Sequence, residues 1–376
     1  MTAPSSHHPV SRIARALALV LLTIGLGIVA TSRILLWLEP RGSARDPTLE
    51  TSSTPIAVLG DSDSQSYHDR VWLPDRAAVR GGAFNAATLQ WTEVLAKLRP
   101  KQIDLGPWGV WGSRSSAVRI MEWFGISGRA PRKEDFRYNF ALGGAKTAGL
   151  MQGLWRQAPR LVALMDEDPI RWRKGIVVIR IGVNDFGHAD NLDQLALNPN
   201  APAVQAIMVE CVGYIRAAVA LIHERHSQTR IVLVGMGNNA DSPENFEKWR
   251  STAELANICG GLEHFNRALQ DMAALDSRLT FFDDLAWTTA QWGTRDSEGL
   301  PAYRTVTIGD KIRLTNSSGD APDNAVLADG HAGVVWNTLW AKAFVDCVAT
   351  AFDLPIQPIS TEEITHFLEH DLQLGR

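Results

Sequence analysis

Short apolar runs rich in β-branched residues alternate along this chain with much longer segments of helical periodicity. The short runs cover residues 56–59, 138–142, 176–181, 231–234 and 279–282. The helical segments cover residues 87–98, 204–226, 255–275 and 334–352. Each helical segment is long enough to cross between parallel strands. The pattern therefore predicts an α/β fold, a three-layer α/β/α sandwich with a central five-stranded, mostly parallel sheet.

The first strand candidate opens one large predicted domain over residues 56–356, with a C-terminal tail over 357–376. Residues 100–136 interrupt the alternation with a long segment rich in Gly, Trp and Arg. Long insertions after the carboxyl end of a strand usually build a ligand site or a lid. We therefore expect this insertion to lie near the functional site.

The N-terminus differs in kind from the rest of the chain. After a polar tail over residues 1–15, the chain carries no charge from Ala16 to Ser32, and apolar residues continue to Leu38. This length is close to the lower limit for a helix that crosses a bilayer. We predict a transmembrane or signal-anchor helix over 16–38 and a flexible linker over 39–55, with a cleaved signal peptide as the alternative. Either one places the domain on the membrane or exports it to the cell envelope, on the periplasmic or extracellular side.

Charge and cysteine content exclude several classes of protein. The 37 Lys and Arg residues against 41 Asp and Glu give a net charge of −4, without basic runs. Nucleic acid is therefore not an expected partner. The three cysteines, Cys211, Cys259 and Cys347, are spaced too widely for a metal motif or a disulfide framework.

A serine follows the first strand candidate in the segment Gly60-Asp61-Ser62. A strand that breaks at a glycine and then presents a hydroxyl is how an α/β sheet exposes a nucleophile at its carboxyl edge. Ser64 and Ser66 are rival hydroxyls in the same turn, but neither directly follows Gly-Asp.

Two further segments place glycine and asparagine after strand candidates. Paired glycines at Gly143 and Gly144 allow a sharp turn that presents backbone N–H groups. In the segment 182–185, Asn184 offers a side-chain amide, and such an amide can donate a hydrogen bond to an oxyanion.

The segment Asp329-Gly330-His331 leads into the last helical pattern. A carboxylate there can fix the imidazole tautomer while the other ring nitrogen faces a serine.

In order and context, these four segments resemble the four blocks of the SGNH/GDSL hydrolase family, over roughly residues 56–352. The resemblance implies the flavodoxin-like SGNH hydrolase fold, with Ser62 as nucleophile, His331 as base and Asp329 as its orienting carboxylate. The oxyanion donors would be the backbone N–H groups of Ser62 and Gly144 and the amide of Asn184. Gly144 is preferred over Gly143 because of its position counted from Asn139.

Two features depart from the family pattern. The family usually places two residues between the aspartate and the histidine, and here only Gly330 intervenes; Asp320 and Asp323 are the alternative carboxylates. Asp63 directly follows the nucleophile, where its charge would act on the histidine, contact substrate or face solvent.

The resemblance implies a serine esterase that removes a short acyl group, such as acetyl, from a carbohydrate through an acyl-enzyme, without a metal or an organic cofactor. Trp108 and Trp111, on a predicted loop, are candidates for contact with the substrate. One alternative is an acyltransferase that uses the same residues to acylate a glycan. Another is a non-catalytic protein of the cell envelope that binds a glycan or a partner. The sequence does not specify an oligomeric state.

Overall fold

The structure, a computed structural model, describes residues 53–187 and 189–374. The predicted N-terminal tail, the membrane helix over 16–38 and most of the linker lie outside the described residues. The strands are β1 (Thr54–Gly60), β2 (Ile103–Asp104), β3 (Trp108–Trp111), β4 (Lys133–Phe136), β5 (Ile176–Arg180), β6 (Arg230–Val234), β7 (Leu279–Phe282), β8 (Gly293–Arg295), β9 (Pro301–Tyr303), β10 (Val306–Ile308), β11 (Ile312–Ser318) and β12 (Asn324–Val326). The α-helices are Pro74–Val79, Trp91–Leu98, Ser115–Trp123, Gln157–Met165, Pro169–Trp172, Ala189–Leu197, Pro202–Arg225, Thr252–Ala274, Asp284–Trp292, Val334–Phe352 and Thr361–His366.

Five parallel strands form the central sheet, in the order β2-β1-β5-β6-β7. Alternate residues of β1 point to opposite faces, as the period of a strand requires. Ala57 and Leu59 pack into an apolar cluster with the helices Pro202–Arg225 and Thr252–Ala274. Ile56 and Val58 pack into a second cluster with the helix Val334–Phe352. The predicted three-layer α/β sandwich is therefore confirmed.

The predicted strand over 138–142 is wrong in detail. The segment runs beside β1, where the Val58 N–H donates to the Tyr138 carbonyl at 3.1 Å and the Phe140 N–H donates to the Val58 carbonyl at 2.8 Å. It forms only an isolated bridge, because the Gly60 N–H, which would continue the ladder to the Phe140 carbonyl, donates instead to the side-chain carbonyl of Gln157 at 2.8 Å. The short strand β2 occupies the edge of the sheet instead.

The C-terminal residues do not form the predicted tail. The helix Thr361–His366 and the π-helical turn Phe367–Asp371 follow the last long helix. Ile364, Phe367 and Leu368 are at most 2% exposed and belong to the second apolar cluster. Their burial makes this segment part of the domain core.

Within the described residues, only the helix Pro202–Arg225 is long and apolar enough to cross a membrane by composition. Eight of its side chains between Val204 and Ile222 are buried in the domain core. Core packing therefore accounts for the apolar residues on that face.

Candidate active site

Ser62 lies in the turn that follows β1, at the carboxyl edge of the sheet. The Asp61 carbonyl accepts N–H bonds from Ser64 at 3.2 Å and from Gln65 at 3.1 Å, which closes the turn around Ser62. Ser62 is half-buried. The expected turn at the end of the first strand is present, because the apolar strand ends at Gly60 and the polar residues after it form backbone hydrogen bonds with one another.

The two rival serines lie deeper in the same turn. Ser64 is fully buried, and its Oγ accepts the indole N–H of Trp91 at 3.2 Å. Ser66 is 3% exposed and donates from its Oγ to Asp135 at 2.7 Å. A substrate would therefore reach Ser62 before either of them.

The paired glycines lie against this turn. The Gly143 N–H donates to the side-chain carbonyl of Gln65 at 2.5 Å, and a Cβ built on Gly143 would lie 3.8 Å from the Ser62 Cβ. Gly144 is exposed and has φ +78°, a conformation that favours glycine. Because Gln65 occupies the Gly143 N–H, Gly144 is the better placed of the two to offer a backbone donor to a substrate.

Asn184 lies in the π-helical turn Val183–Gly187 that follows β5. Its side-chain amide donates to the Ala145 carbonyl at 2.9 Å, and the neighbouring Asp185 accepts the Thr147 N–H at 2.8 Å. Burial raises the pKa of Asp185, although the Thr147 N–H opposes the shift. These bonds join the asparagine turn to the glycine turn.

The turn that carries His331 is short and closed by backbone bonds. The Leu327 N–H donates to the His331 carbonyl at 2.7 Å, and the Gly330 N–H donates to the Leu327 carbonyl at 2.9 Å. Gly330 has φ +82°. Because Gly330 adopts this left-handed conformation, the chain turns sharply enough for Asp329 and His331 to meet with only one residue between them.

Asp329 is the carboxylate in contact with His331. Its Oδ1 lies 3.1 Å from Nδ1 of His331. Nδ1 makes no well-aligned hydrogen bond among the described residues, so the contact between the two side chains is electrostatic. The Nε of Arg80 donates to Oδ2 of Asp329 at 2.9 Å. Burial alone would raise the pKa of Asp329; His331 and Arg80 outweigh it and hold that pKa well below its usual range.

The two alternative carboxylates bond elsewhere. Asp320 accepts the Ala328 N–H at 3.4 Å, and Asp323 accepts from the Asn324 side chain at 3.2 Å. The structure brings neither one into contact with the histidine.

Tyr67 joins the serine turn to the histidine turn. Its hydroxyl donates to the Ala332 carbonyl at 2.9 Å, and its ring meets His331 edge to face, with centroids 6.2 Å apart. The Arg80 guanidinium lies over the same ring, 4.4 Å from its centroid. Burial raises the pKa of Tyr67, so its hydroxyl keeps its proton also at alkaline pH. The four predicted segments are therefore linked at one edge of the sheet.

A buried ionic cluster lies directly behind the serine turn. Arg180, the last residue of β5, donates to the Asp63 carbonyl at 2.9 Å and to the Asp284 carboxylate at 3.2 Å. Asp61 is 1% exposed. Its burial, which is the larger effect, and repulsion from Asp63 together raise the pKa of Asp61 well above the usual range. Burial likewise raises the pKa of Asp284.

A cavity of about 110 Å³ opens beside these segments. It is lined by Asp63, next to Ser62, by Val183, next to Asn184, and by Gly330, next to His331. Asp63 therefore faces this cavity.

Trp108 and Trp111 lie on β3, so the loop predicted for them is wrong. The strand β3 pairs with β4 in an antiparallel ribbon. Trp111 is 7% exposed, and Trp108 packs edge to face on Phe136, with centroids 5.1 Å apart. Neither tryptophan lines the cavity beside Ser62.

A family model described as GDSL-like lipase/acylhydrolase matches residues 106–301, a little more than half of the chain. The chain belongs to this family. As a member of the GDSL-like lipase/acylhydrolase family it is a hydrolase of ester bonds. The matched range contains Gly144 and Asn184, whereas Ser62 lies before it and His331 after it.

Among solved structures, this family member is similar to an extracellular lipase from Streptomyces rimosus. The identity is 16%, over 78% of this chain and 100% of that one, with a TM-score of 0.34. It is also similar to a lipase from a goat rumen metagenome, at 12% identity over 66% of this chain and 90% of that one, with a TM-score of 0.32. Among curated proteins, no match was found.

Proposed function

We propose that this chain is a serine esterase that removes a short acyl group, such as acetyl, from a carbohydrate. In the first step, Oγ of Ser62 attacks the acyl carbonyl while His331 takes the hydroxyl proton, and the departing alcohol then receives that proton. In the second step, water attacks the acyl-enzyme while His331 takes its proton; the bond to Oγ then breaks, the free acid leaves, and His331 returns the proton to Oγ of Ser62. Asp329 orients the imidazole and stabilises its charged form.

The backbone N–H groups of Ser62 and Gly144 and the amide of Asn184 would hold the oxyanion. Preorganised donors of this kind usually supply a large part of the rate enhancement. The observation that carries the proposal is the link between segments: Tyr67 bonds to the carbonyl next to His331, and Asn184 bonds to the carbonyl next to Gly144.

A fluorophosphonate probe tests this assignment, because such probes label activated serines covalently. We expect the chain to be labelled and Ser62→Ala to abolish the labelling. Ser64→Ala is the matched control, because it removes the buried serine of the same turn, and this variant should still be labelled. A well-folded chain that is not labelled, or is still labelled after Ser62→Ala, contradicts the proposed nucleophile.

The acyltransferase alternative uses the same residues and differs in what accepts the acyl group. With a glycan added to an acetyl ester, free acetate as the main product supports the esterase. Acetylated glycan as the main product would replace the esterase by a transferase, since the acceptor depends on how well the closed site excludes water.

We also propose that the apolar segment over residues 16–38 attaches the domain to a membrane or directs its export. The support is the uncharged run itself and the polar linker that follows it. We expect the full chain to sediment with membranes and a chain that begins at residue 53 to remain soluble. A soluble full-length chain retaining residue 1 would contradict the anchor, and a mature chain that begins near Thr31 would assign a cleaved signal peptide.

A further inference from the structure

Polar groups line part of the cavity beside Ser62. Asp63 and Asp241 contribute carboxylates, and Asn238 and Asn316 contribute amides. Among the described residues that line it, Arg180 is the one cationic side chain, and it already bonds to Asp284 and to the loop backbone. Acidic side chains therefore outnumber the cation in this lining, which disfavours a second anionic group and favours a ligand group that donates hydrogen bonds.

Asn316 reaches the cavity from an insertion between the last strand of the central sheet and His331. The insertion forms a three-stranded sheet, β10-β11-β12, and Asn316 lies on its middle strand. Asn316 is 5% exposed, and its side-chain N–H donates to the Asp241 carbonyl at 3.2 Å.

The side-chain carbonyl of Asn316 has no hydrogen-bond partner in the described part of the chain. A buried acceptor without a donor destabilises the fold unless something else supplies one. Because Asn316 lines the cavity, a hydroxyl of a bound molecule is a suitable donor. The cavity has several times the volume that one buried water needs, so it admits more than a single water molecule.

Trp336 adds an aromatic surface to the same cavity. Its ring stacks on Trp292 at 4.8 Å with an interplanar angle of 12°, which fixes its orientation. A fixed aromatic ring beside carboxylates and amides suits a molecule with apolar C–H faces and several hydroxyl groups.

We propose that this cavity holds the hydroxyl-bearing part of the ester substrate, and that Asn316 determines specificity by accepting a hydrogen bond from a substrate hydroxyl. The proposal rests on the proposed esterase function, since it takes Ser62 as the point of attack. A site built to bond a hydroxyl discriminates strongly against ligands that lack it, because its own polar group is then left unpaired.

Titration calorimetry on the Ser62→Ala chain tests this without turnover. The ligands are a mono-O-acetylated methyl glucoside and isobutyl acetate, which has no hydroxyl. We expect Asn316→Ala to weaken binding of the sugar ester by roughly tenfold and to leave that of isobutyl acetate unchanged. Thr315→Ala is the matched control and should change neither, because Thr315 directly precedes Asn316 on β11 and its side chain is exposed.

A second comparison needs no change at Asn316. With that residue intact, the sugar ester should bind at least about tenfold more tightly than isobutyl acetate. Equal binding of the two esters, or equal weakening of both by Asn316→Ala, overturns the proposal. If binding depends on Asn316 but Ser62 is not labelled by a fluorophosphonate, the esterase function fails and the cavity remains a site for polyhydroxylated ligands.

Discussion

Ser62→Ala is expected to lower kcat on p-nitrophenyl acetate by on the order of 10⁴-fold or more, and His331→Ala by a similar factor. Without Ser62 no acyl-enzyme forms, and without His331 the hydroxyl keeps its proton during attack. Because the two groups act as one unit, the double variant should be hardly slower than either single one. Steady-state kinetics of the three variants, each with a thermal melting curve, provides the measurement.

Ser64→Ala is the matched control for these kinetics. The Ser64 hydroxyl is fully buried against Trp91, so its loss should leave kcat within a few-fold of the unmodified chain. If the double variant instead loses the product of the two single factors, Ser62 and His331 act independently, and the proposed mechanism is wrong.

The sequence predicts the sheet well where a strand is a continuous apolar run. The runs in β5 and β6 are buried on both faces, so their composition reveals their place in a parallel sheet. The segment 138–142 is also largely apolar, but the Gln157 side chain, 97 positions away from Gly60, accepts the Gly60 N–H that a continued ladder would use. Pattern alone does not reveal that competition.

The strand β11 shows a signal that sequence reading missed. Its residues alternate between buried and exposed from Ile312 to Asn316, with Ile312 and Leu314 facing the core. That period of two indicates a half-buried strand. The run is short and polar, and it therefore reads as part of a long connection before the histidine segment.

At the site, the sequence predicts the residues that lie within local motifs. It does not predict the distant residues that form hydrogen bonds to those motifs. Asp329 contacts His331 two positions away, which the sequence suggests directly. Arg80 bonds to Asp329 across 249 positions, and the Tyr67 hydroxyl bonds to Ala332 across 265. Neither residue has a neighbouring motif that marks it, because only the folded sheet brings these turns together.

Arg180→Met is expected to destabilise the fold by about 3–5 kcal/mol at neutral pH, measured by urea unfolding. Arg180 bonds to Asp284 and its charge lowers the pKa of Asp61, and both acids are at most 6% exposed. Without the guanidinium, two buried carboxylates lose their nearest cation. Arg278→Met is the control, because the ion pair of Arg278 with Asp276 lies near the surface and its loss should cost far less.

The pH dependence of the Arg180→Met effect separates charge from packing. Burial raises the folded pKa of Asp61 and Asp284 above 3.8, so their contribution to stability is present below about pH 3.8 and is lost as pH rises. Removing Arg180 raises both pKa values further. The loss in the free energy of unfolding relative to the unmodified chain should therefore be largest at neutral pH and become smaller towards about pH 4. Adding Asp284→Asn to Arg180→Met should recover part of the loss, since an uncharged amide can still accept the Trp340 indole N–H. The difference in the free energy of unfolding could instead stay constant with pH, or the added Asp284→Asn could leave it unchanged. Either result would mean that Arg180 stabilises the fold by packing on Trp340 and not by neutralising the carboxylates behind Ser62.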